Sequence, residues 1–193
     1  VFRRLSGGRG EVAEVLAGIA AAEAAGFARL KLNCVVLRGV NDDGVLDLVQ
    51  RFRGTGHILR FIEYMDVGTL NHWQRGSVVP SADLVARIHA RWPLQALDRN
   101  YRGEVAERYA FDDGGGELGF ISSVSAPFCG DCSRARISAE GRLYTCLFAR
   151  DGFDLRTPLR GGASDAELAD LVAARWRLRA DRYSERRAEL RAA

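Results

Sequence analysis

The chain has 193 residues, of which 47% are hydrophobic and 27% are charged, and its formal net charge is +3. This length and composition fit a globular protein of one or two domains and exclude a disordered or fibrous chain, while the small charge argues against a nucleic-acid partner. No apolar run approaches the roughly 20 residues of a membrane span and no signal peptide opens the chain, so we expect a cytoplasmic protein outside the membrane.

Helices and strands alternate in the first half of the predicted structure. The apolar spacing predicts helices and strands in this order: helix 11–25, strand 29–37, helix 44–53, strand 57–65. A further helix runs from Ser81, which caps it, to about Trp92, and Pro93 ends it. The strand–helix–strand order predicts parallel strands with a right-handed crossover, whose C-terminal ends usually carry the binding side chains.

The pattern changes in the second half, which favours a domain boundary near residue 94. A hairpin is predicted from strands over 105–111 and 117–124, separated by a glycine-rich turn. Gly141 predicts a second turn, and Ser164 caps a last clear helix over 164–180, followed by an arginine-rich helix or a frayed tail.

Three of the four cysteines lie close together in a segment over 126–149, which we call the cysteine segment. Cys129, Cys132 and Cys146 have the spacing C-x2-C-x13-C, whereas Cys34 is distant. In a chain without a secretory signal, this clustering favours metal binding or redox chemistry over a disulfide scaffold.

The spacing leaves three kinds of site open. Structural zinc needs four protein ligands, but every histidine precedes the C-x2-C pair. Cys34 could supply the fourth ligand only if the fold happened to bring it close to the other three cysteines. A thioredoxin-like redox pair would leave Cys146 without a role. Three thiolates suit a 4Fe–4S cluster with one iron open to an exogenous ligand, and this reading accounts for all three cysteines.

Two arginines follow the C-x2-C pair at alternating positions, so on an extended strand Arg134 and Arg136 would share a face. Beside an open metal site, their forked donors suit a phosphate-bearing ligand. Without the cysteines, both would be interpreted as solvated surface residues, since the chain has 27 arginines.

Lys31 is the only lysine and would share a strand face with Asn33, although a lone strand lysine is usually solvated. Met65 is the only methionine and lies at the end of a predicted strand, where it would ordinarily belong to the core. Glu63 could either line a binding pocket or have a purely structural role.

The stretch PFCGDCSRARISAEGRLYTCLF closely resembles the C-terminal cluster motif of the GTP 3′,8-cyclase family, radical S-adenosylmethionine enzymes that start molybdenum cofactor biosynthesis. Two further segments, KLNCVVLRGVNDD (31–43) and RFIEYMDVG (60–68), agree and occur in the family's order. The resemblance runs through almost the whole chain.

The resemblance implies roles for individual residues. It assigns Cys129, Cys132 and Cys146 to a 4Fe–4S cluster at whose open iron the guanine base of GTP binds. It assigns GTP contacts to Arg134, Arg136 and Lys31, and it places Met65 in the S-adenosylmethionine site. The implied reaction converts GTP to (8S)-3′,8-cyclo-7,8-dihydroguanosine 5′-triphosphate by radical chemistry, and the family is commonly a homodimer.

The resemblance also implies an α/β fold in two parts. Residues 1–94 would be the C-terminal part of an incomplete (β/α) radical S-adenosylmethionine barrel, and residues 95–193 an α+β domain that holds the iron–sulfur cluster and GTP. The C-x3-C-x2-C motif of the second cluster, which cleaves S-adenosylmethionine, is absent and the chain begins without Met. We therefore expect a fragment that cannot generate the radical alone.

Two rival functions remain. One is a non-catalytic module in which zinc or a cluster has a structural role and the arginines face another macromolecule. The other is a different radical S-adenosylmethionine enzyme with an auxiliary cluster, although such enzymes usually carry more cysteines in that region.

Overall fold

The computed structural model describes residues 1–67 and 73–192, which form two compact units. Among these residues, the first unit comprises 1–66 and 73–126, and the second comprises Val67 and 127–192. The first unit contains four helices and five strands in its described residues: α1 Phe2–Leu5, α2 Val12–Ala24, β1 Lys31–Val36, α3 Val45–Phe52, β2 Ile58–Glu63, α4 Ser81–His89, β3 Leu94–Leu97, β4 Glu107–Phe111 and β5 Glu117–Ile121.

The five strands form one mixed sheet in the order β1-β2-β5-β4-β3. Strands β1, β2 and β5 are parallel, whereas β4 pairs antiparallel with both β5 and β3. The predicted parallel pair and the predicted hairpin are therefore confirmed, and so is the α/β class. That residues 1–94, with β1 and β2, belong to a radical S-adenosylmethionine barrel stays a prediction.

One face of the sheet carries the hydrophobic core because side chains alternate along each strand. Phe61 of β2 and Phe120 of β5 are fully buried, and their rings lie 5.7 Å apart. Helix α4 covers this core with Leu84 and Ile88, which are four residues apart and so share a helix face. The other face of β1 remains exposed at its alternate residues, which leaves it free for polar side chains.

A buried carboxylate joins three parts of the first unit. Glu63, at the end of β2, is 2% exposed. Its two oxygens accept hydrogen bonds from the backbone N–H groups of Ser81, Val124 and Ser125, each at 2.8 Å, and from the Ser125 hydroxyl. The start of α4 and the chain that leaves β5 are thereby tied to the end of β2. Of the two roles considered for Glu63, this network shows the structural one.

The second unit contains three short strands and three helices in its described residues: β6 Arg136–Ile137, β7 Arg142–Tyr144, β8 Phe153–Asp154, α5 Arg156–Arg160, α6 Asp165–Arg177 and α7 Tyr183–Ala192. The strands form an antiparallel sheet in chain order. Gly141 turns the chain between β6 and β7 with a φ of 76°, as predicted. Ser164 caps α6, and Glu167 completes a capping box with it.

The compact units divide after Ala126, because β3, β4 and β5 extend the sheet of the first unit, and the predicted domain boundary near residue 94 stays a prediction. Two details differ from the sequence predictions. Strand β3 was not predicted, since its four residues form a strand by pairing with β4 and not by their own pattern. Pro80, not Ser81, occupies the N-cap of α4, and the Ser81 N–H instead bonds to Glu63.

In the described ranges 1–67 and 73–192, every helix is too short or too polar to cross a bilayer.

Replacing Glu63 with Gln tests the importance of this carboxylate. In the wild type a carboxylate oxygen accepts from these buried N–H donors, whereas in the variant the amide NH2 group would face some of them. We therefore expect the free energy of unfolding to fall by about 3 kcal/mol. Denaturant unfolding followed by circular dichroism measures this change. As a control, Glu107→Gln at an exposed position of β4 should change the value by less than about 0.5 kcal/mol. Equal effects of the two substitutions would contradict this role of Glu63.

Candidate functional site

The three clustered cysteines lie in the second unit, on the two arms that flank the β6–β7 hairpin. Cys129 begins a single 3₁₀ turn, and the N–H of Cys132 closes this turn by bonding to the carbonyl of Cys129 at 3.3 Å. Cys146 follows β7, and its sulfur accepts a hydrogen bond from the N–H of Phe148 at 3.5 Å. All three are half-buried free thiols, so they are available as ligands.

Cys132 has the most distinctive environment of the three. Burial raises the pKa of its thiol, but hydrogen bonds from the backbone and side chain of Arg134, the Arg134 charge and a hydrogen bond from Arg179 outweigh this and lower the pKa below its usual value. The Nε of Arg134 donates to the sulfur at 3.3 Å. The thiolate, which is the form that binds metals, is therefore favoured at this position.

The donor set is the test of whether an iron–sulfur cluster fits. Among the residues that the structure describes, no three His, Cys, Asp or Glu side chains converge as a ready metal site. The chemistry of the cysteine segment nevertheless fits: three reduced thiols lie in one unit, and one of them is held toward the thiolate by cationic donors. Soft thiolate ligands are those that iron–sulfur clusters use.

The two predicted arginines lie beside the cysteines but not on one strand. Arg134 precedes β6 and is exposed, with its guanidinium on the Cys132 sulfur and 5.0 Å from the ring centre of Phe128. Arg136 begins β6, pairs across the hairpin with Tyr144 and is also exposed. The predicted shared strand face is therefore wrong, because the strand begins only at Arg136.

The other candidate zinc ligands have roles of their own in the first unit. Cys34 packs against the hydrophobic core, and burial raises the pKa of its thiol. His57 contacts Glu23 at 2.9 Å, and His89 accepts a hydrogen bond from the N–H of Leu94 at 3.0 Å. His72 lies outside the described residues. The positions of Cys34, His57 and His89 are thus explained by the packing of the fold.

Lys31 and Met65 lie in the first unit, toward opposite ends of neighbouring parallel strands. Lys31 begins β1 and is exposed, and Asn33 shares its strand face as predicted. Met65 is half-buried and follows the C-terminal end of β2, where binding side chains were expected. Lys31 does not follow that expectation, because it opens its strand. Gly68, the last residue of the third motif, lies outside the described residues.

A polar cavity of about 160 Å³ surrounds Lys31 at the start of the parallel strands. Its charged lining has four basic and two acidic side chains: Arg29, Lys31, Arg60, Arg108, Glu104 and Glu117. Glu117 forms a bidentate pair with Arg108, at 2.8 and 3.0 Å, and a third contact with Arg29 at 2.9 Å. Because cations exceed anions in this lining, the cavity favours an anionic ligand.

Sequence reasoning missed several residues of this cavity. Arg60 pairs with Asn33 on one side and with Gly119 on the other, and all three lie on one face of the sheet. A Cβ at position 119 would lie 3.0 Å from Cγ of Arg60, so glycine leaves room for the arginine side chain. Strand alternation could have placed Arg60 on the face of Asn33, but only the sheet order brings Arg108 there.

The structure brings the three cysteines and the two arginines of the cysteine segment together in one unit, and it places Lys31 and Met65 in the other. That all of them serve one nucleotide stays a prediction.

Comparison with known proteins gives two consistent findings. Residues 57–185 match the family model described as Molybdenum Cofactor Synthesis C. Curated relatives named GTP 3′,8-cyclase match almost the whole chain: the protein of Xanthomonas axonopodis pv. citri (strain 306) is 65% identical over 190 residues, which are 98% of this chain and 56% of that protein.

More distant relatives carry the same name. The GTP 3′,8-cyclase of Acidothermus cellulolyticus is 50% identical over 191 residues, covering 97% of this chain and 53% of the relative. That of Synechococcus sp. (strain CC9605) is 51% identical over 180 residues, covering 91% and 51%. The chain spans about half the length of the curated relatives that it matches.

The Glu117–Arg108 pair in this cavity predicts how the free energy of unfolding depends on pH. Hydrogen bonds from Arg108 hold the pKa of Glu117 below its ordinary value of about 4.5, although burial opposes them. A depressed carboxyl pKa stabilises the fold above the unfolded value, and this stabilisation is lost as the pH falls through the folded value. In Glu117→Gln, the free energy of unfolding should be lower at pH 7 and depend less on pH below about 4.5.

Urea unfolding between pH 3 and pH 7 measures this difference. The exposed Glu107 of the same hairpin provides the matched control, and Glu107→Gln should keep the wild-type pH profile. An unchanged acid profile in Glu117→Gln would show that the Arg108 pair does not stabilise the fold.

Proposed function

Since this chain belongs to the Molybdenum Cofactor Synthesis C family, which takes part in molybdenum cofactor synthesis, we propose that it supplies the nucleotide-holding part of a GTP 3′,8-cyclase. The single observation that carries the proposal is that three free cysteines lie in the second unit at the residues that match the family's cluster motif, one of them, Cys132, beside the Arg134 guanidinium. The names of the curated relatives support it.

Cys129, Cys132 and Cys146 would hold a 4Fe–4S cluster. Three thiolates leave one of four irons to an exogenous ligand, and a Lewis-acidic iron there supplies a binding point for the base of a nucleotide. The chain's own contribution would be to present three half-buried free thiols and, at Cys132, a guanidinium that lowers the pKa of the thiol.

Arg134 and Arg136 would bind the phosphates of GTP. Both are exposed and both lie within a few residues of Cys132, and Arg134 already donates to the Cys132 sulfur, so a nucleotide beside the cysteines would lie near both guanidiniums. A guanidinium presents forked donors that match phosphate oxygens, and charge-assisted bonds of this kind are about twice as strong as neutral ones.

The first unit would contribute Lys31 and Met65. The cation-rich cavity around Lys31 favours a phosphate-bearing ligand and supports its assignment to GTP. Met65, at the C-terminal end of β2, would contact S-adenosylmethionine, because a flexible thioether packs well against an apolar ligand surface. In this proposal, β1 and β2, which lie within residues 1–94, belong to the radical S-adenosylmethionine barrel of the whole enzyme.

The C-x3-C-x2-C motif for the second cluster does not occur in these 193 residues. We therefore propose that the chain binds GTP and its own cluster but does not cleave S-adenosylmethionine by itself. Radical formation in the whole enzyme would depend on residues outside this chain.

Metal analysis tests the cluster. Purified without oxygen, the chain should hold about four irons and four sulfides, and Cys146→Ala should lose most of the iron and weaken GTP binding measured by calorimetry. Cys34→Ala, in the core of the first unit, is the matched control and should keep both. Zinc alone without affinity for GTP would overturn the proposal and leave a structural metal module.

A charge variant tests the phosphate assignment separately. Arg136→Gln should raise the Kd for GTP by about 10- to 100-fold, since it removes one charge-assisted phosphate contact worth about 1.5–3 kcal/mol. Arg160→Gln, on the exposed surface of α5, should leave the Kd unchanged. The iron content should be the same in both variants. If the two variants bind GTP equally well, Arg136 does not contact the nucleotide.

A further inference from the structure

The segment between α6 and α7 contacts both arms of the cysteine segment. Arg179 Nη1 donates a hydrogen bond to the carbonyl oxygen of Cys132. Asp181 accepts a hydrogen bond from the hydroxyl of Thr145, the residue before Cys146. The Asp181 carboxylate also lies 3.9 Å from Nε of Arg179, which is an ion pair and not a hydrogen bond. One chain of polar contacts thus runs from Cys132 to the neighbour of Cys146.

These polar groups are withdrawn from water. The Arg179 side chain is 12% exposed and that of Asp181 27%, while Thr145 is 3% exposed. Burying charges is costly unless each finds partners, so the contacts hold the two side chains in one arrangement. Arg179 also stacks over Trp176, with its guanidinium 4.8 Å from the ring centre, which further fixes its orientation.

The start of α7 contacts the same two arms at other points. The N–H of Gly130, inside the C-x2-C turn, donates to Glu185 at 3.2 Å, and Glu185 is paired with Arg182 at 2.9 Å. Phe148, two residues after Cys146, stacks on Tyr183 with ring centres 4.1 Å apart and planes 15° apart. The contacts of Arg179 and Asp181 are therefore part of a continuous surface against the cysteine segment.

The hairpin itself gives the cysteines little support. Cys132 and Cys146 are joined through β6 and β7, which have two and three residues. Strands this short are marginal without outside packing. If the thiols of Cys132 and Cys146 hold one cluster, contacts from elsewhere in the chain must therefore fix the distance between them.

We propose that Arg179 and Asp181 are positioning residues that fix the distance between Cys132 and Cys146, and so set how firmly the three thiols hold the cluster. This inference rests on the proposed function and extends it to residues outside the cysteine segment. Arg179 holds the backbone of Cys132 and also lies beside its thiol, whereas Asp181 acts through Thr145.

The experiment measures iron release from the 193-residue chain purified without oxygen. A ferrous-iron chelator is added and the loss of the cluster's visible absorbance is followed. Arg179→Gln and Asp181→Asn should each release iron at least about tenfold faster than the wild type, the lower end of the effect of removing residues that orient metal ligands. The double variant should not add the two effects, because the two side chains belong to one chain of contacts joined by the Arg179–Asp181 ion pair.

Two further variants separate positioning from folding. Thr145→Val keeps the shape of a buried side chain and removes only the hydroxyl bonded to Asp181, so it should also release iron faster. Arg179→Lys keeps a donor for the Cys132 carbonyl and should restore slower release. In the faster variants, the paramagnetic resonance signal of the reduced cluster should broaden while the helix content measured by circular dichroism stays the same.

Arg177→Gln is the matched control, since Arg177 is exposed and ends the same helix. Iron release from Arg177→Gln as fast as from Arg179→Gln would overturn the positioning role. So would wild-type release rates in Arg179→Gln, Asp181→Asn and Thr145→Val, and the proposed function would then stand. A wild-type chain that holds no iron would overturn both proposals.

Discussion

The carboxylate of Glu63 links the end of β2 with two segments that lie far from it in sequence. A carboxylate that is 2% exposed would be strongly unfavourable without partners, but this one accepts four hydrogen bonds from the start of α4 and from the chain that leaves β5. The parallel sheet and its covering helix are therefore coupled at one point. Met65 follows Glu63 by two residues, so the proposed binding position of Met65 in the first unit depends on this network.

Polar contacts organise the second unit to a greater degree than apolar packing. Over residues 127–187, whose burial the structure describes, Leu143 is the only buried hydrophobic side chain, and it is accompanied by buried Thr145 and Arg187. The strands have two or three residues each, and α5 and α6 bury no residue fully. A unit with so small a core is stabilised by directional contacts. This dependence explains why the cysteine segment is in contact with charged and aromatic side chains of the α6–α7 region.

Arginine supplies cationic groups in both units, and this suits the ligands that we propose. Around Lys31, three arginines and the lysine exceed the carboxylates that pair with them. At Cys132, Arg134 donates to a sulfur whose ionised form it favours. Thiolates and phosphates are both anionic acceptors, so one residue type can serve a cluster and a nucleotide. The proposed binding of a cluster and a nucleotide thus requires from the two units only that ordinary guanidinium, ammonium and thiol groups are correctly placed.

The sequence by itself determined the local features: the alternating helices and strands, the hairpin, the turn at Gly141 and the cap at Ser164. It also determined the cysteine spacing, because each of these signals lies within a few consecutive residues. Tertiary structure decided the rest. It made β3 a strand by pairing it with β4, turned Cys34 toward the core, and brought Arg179 onto Cys132 across 47 residues of chain. Contacts of this kind join residues that are distant in sequence, so no local pattern records them, and they form only when the whole chain packs.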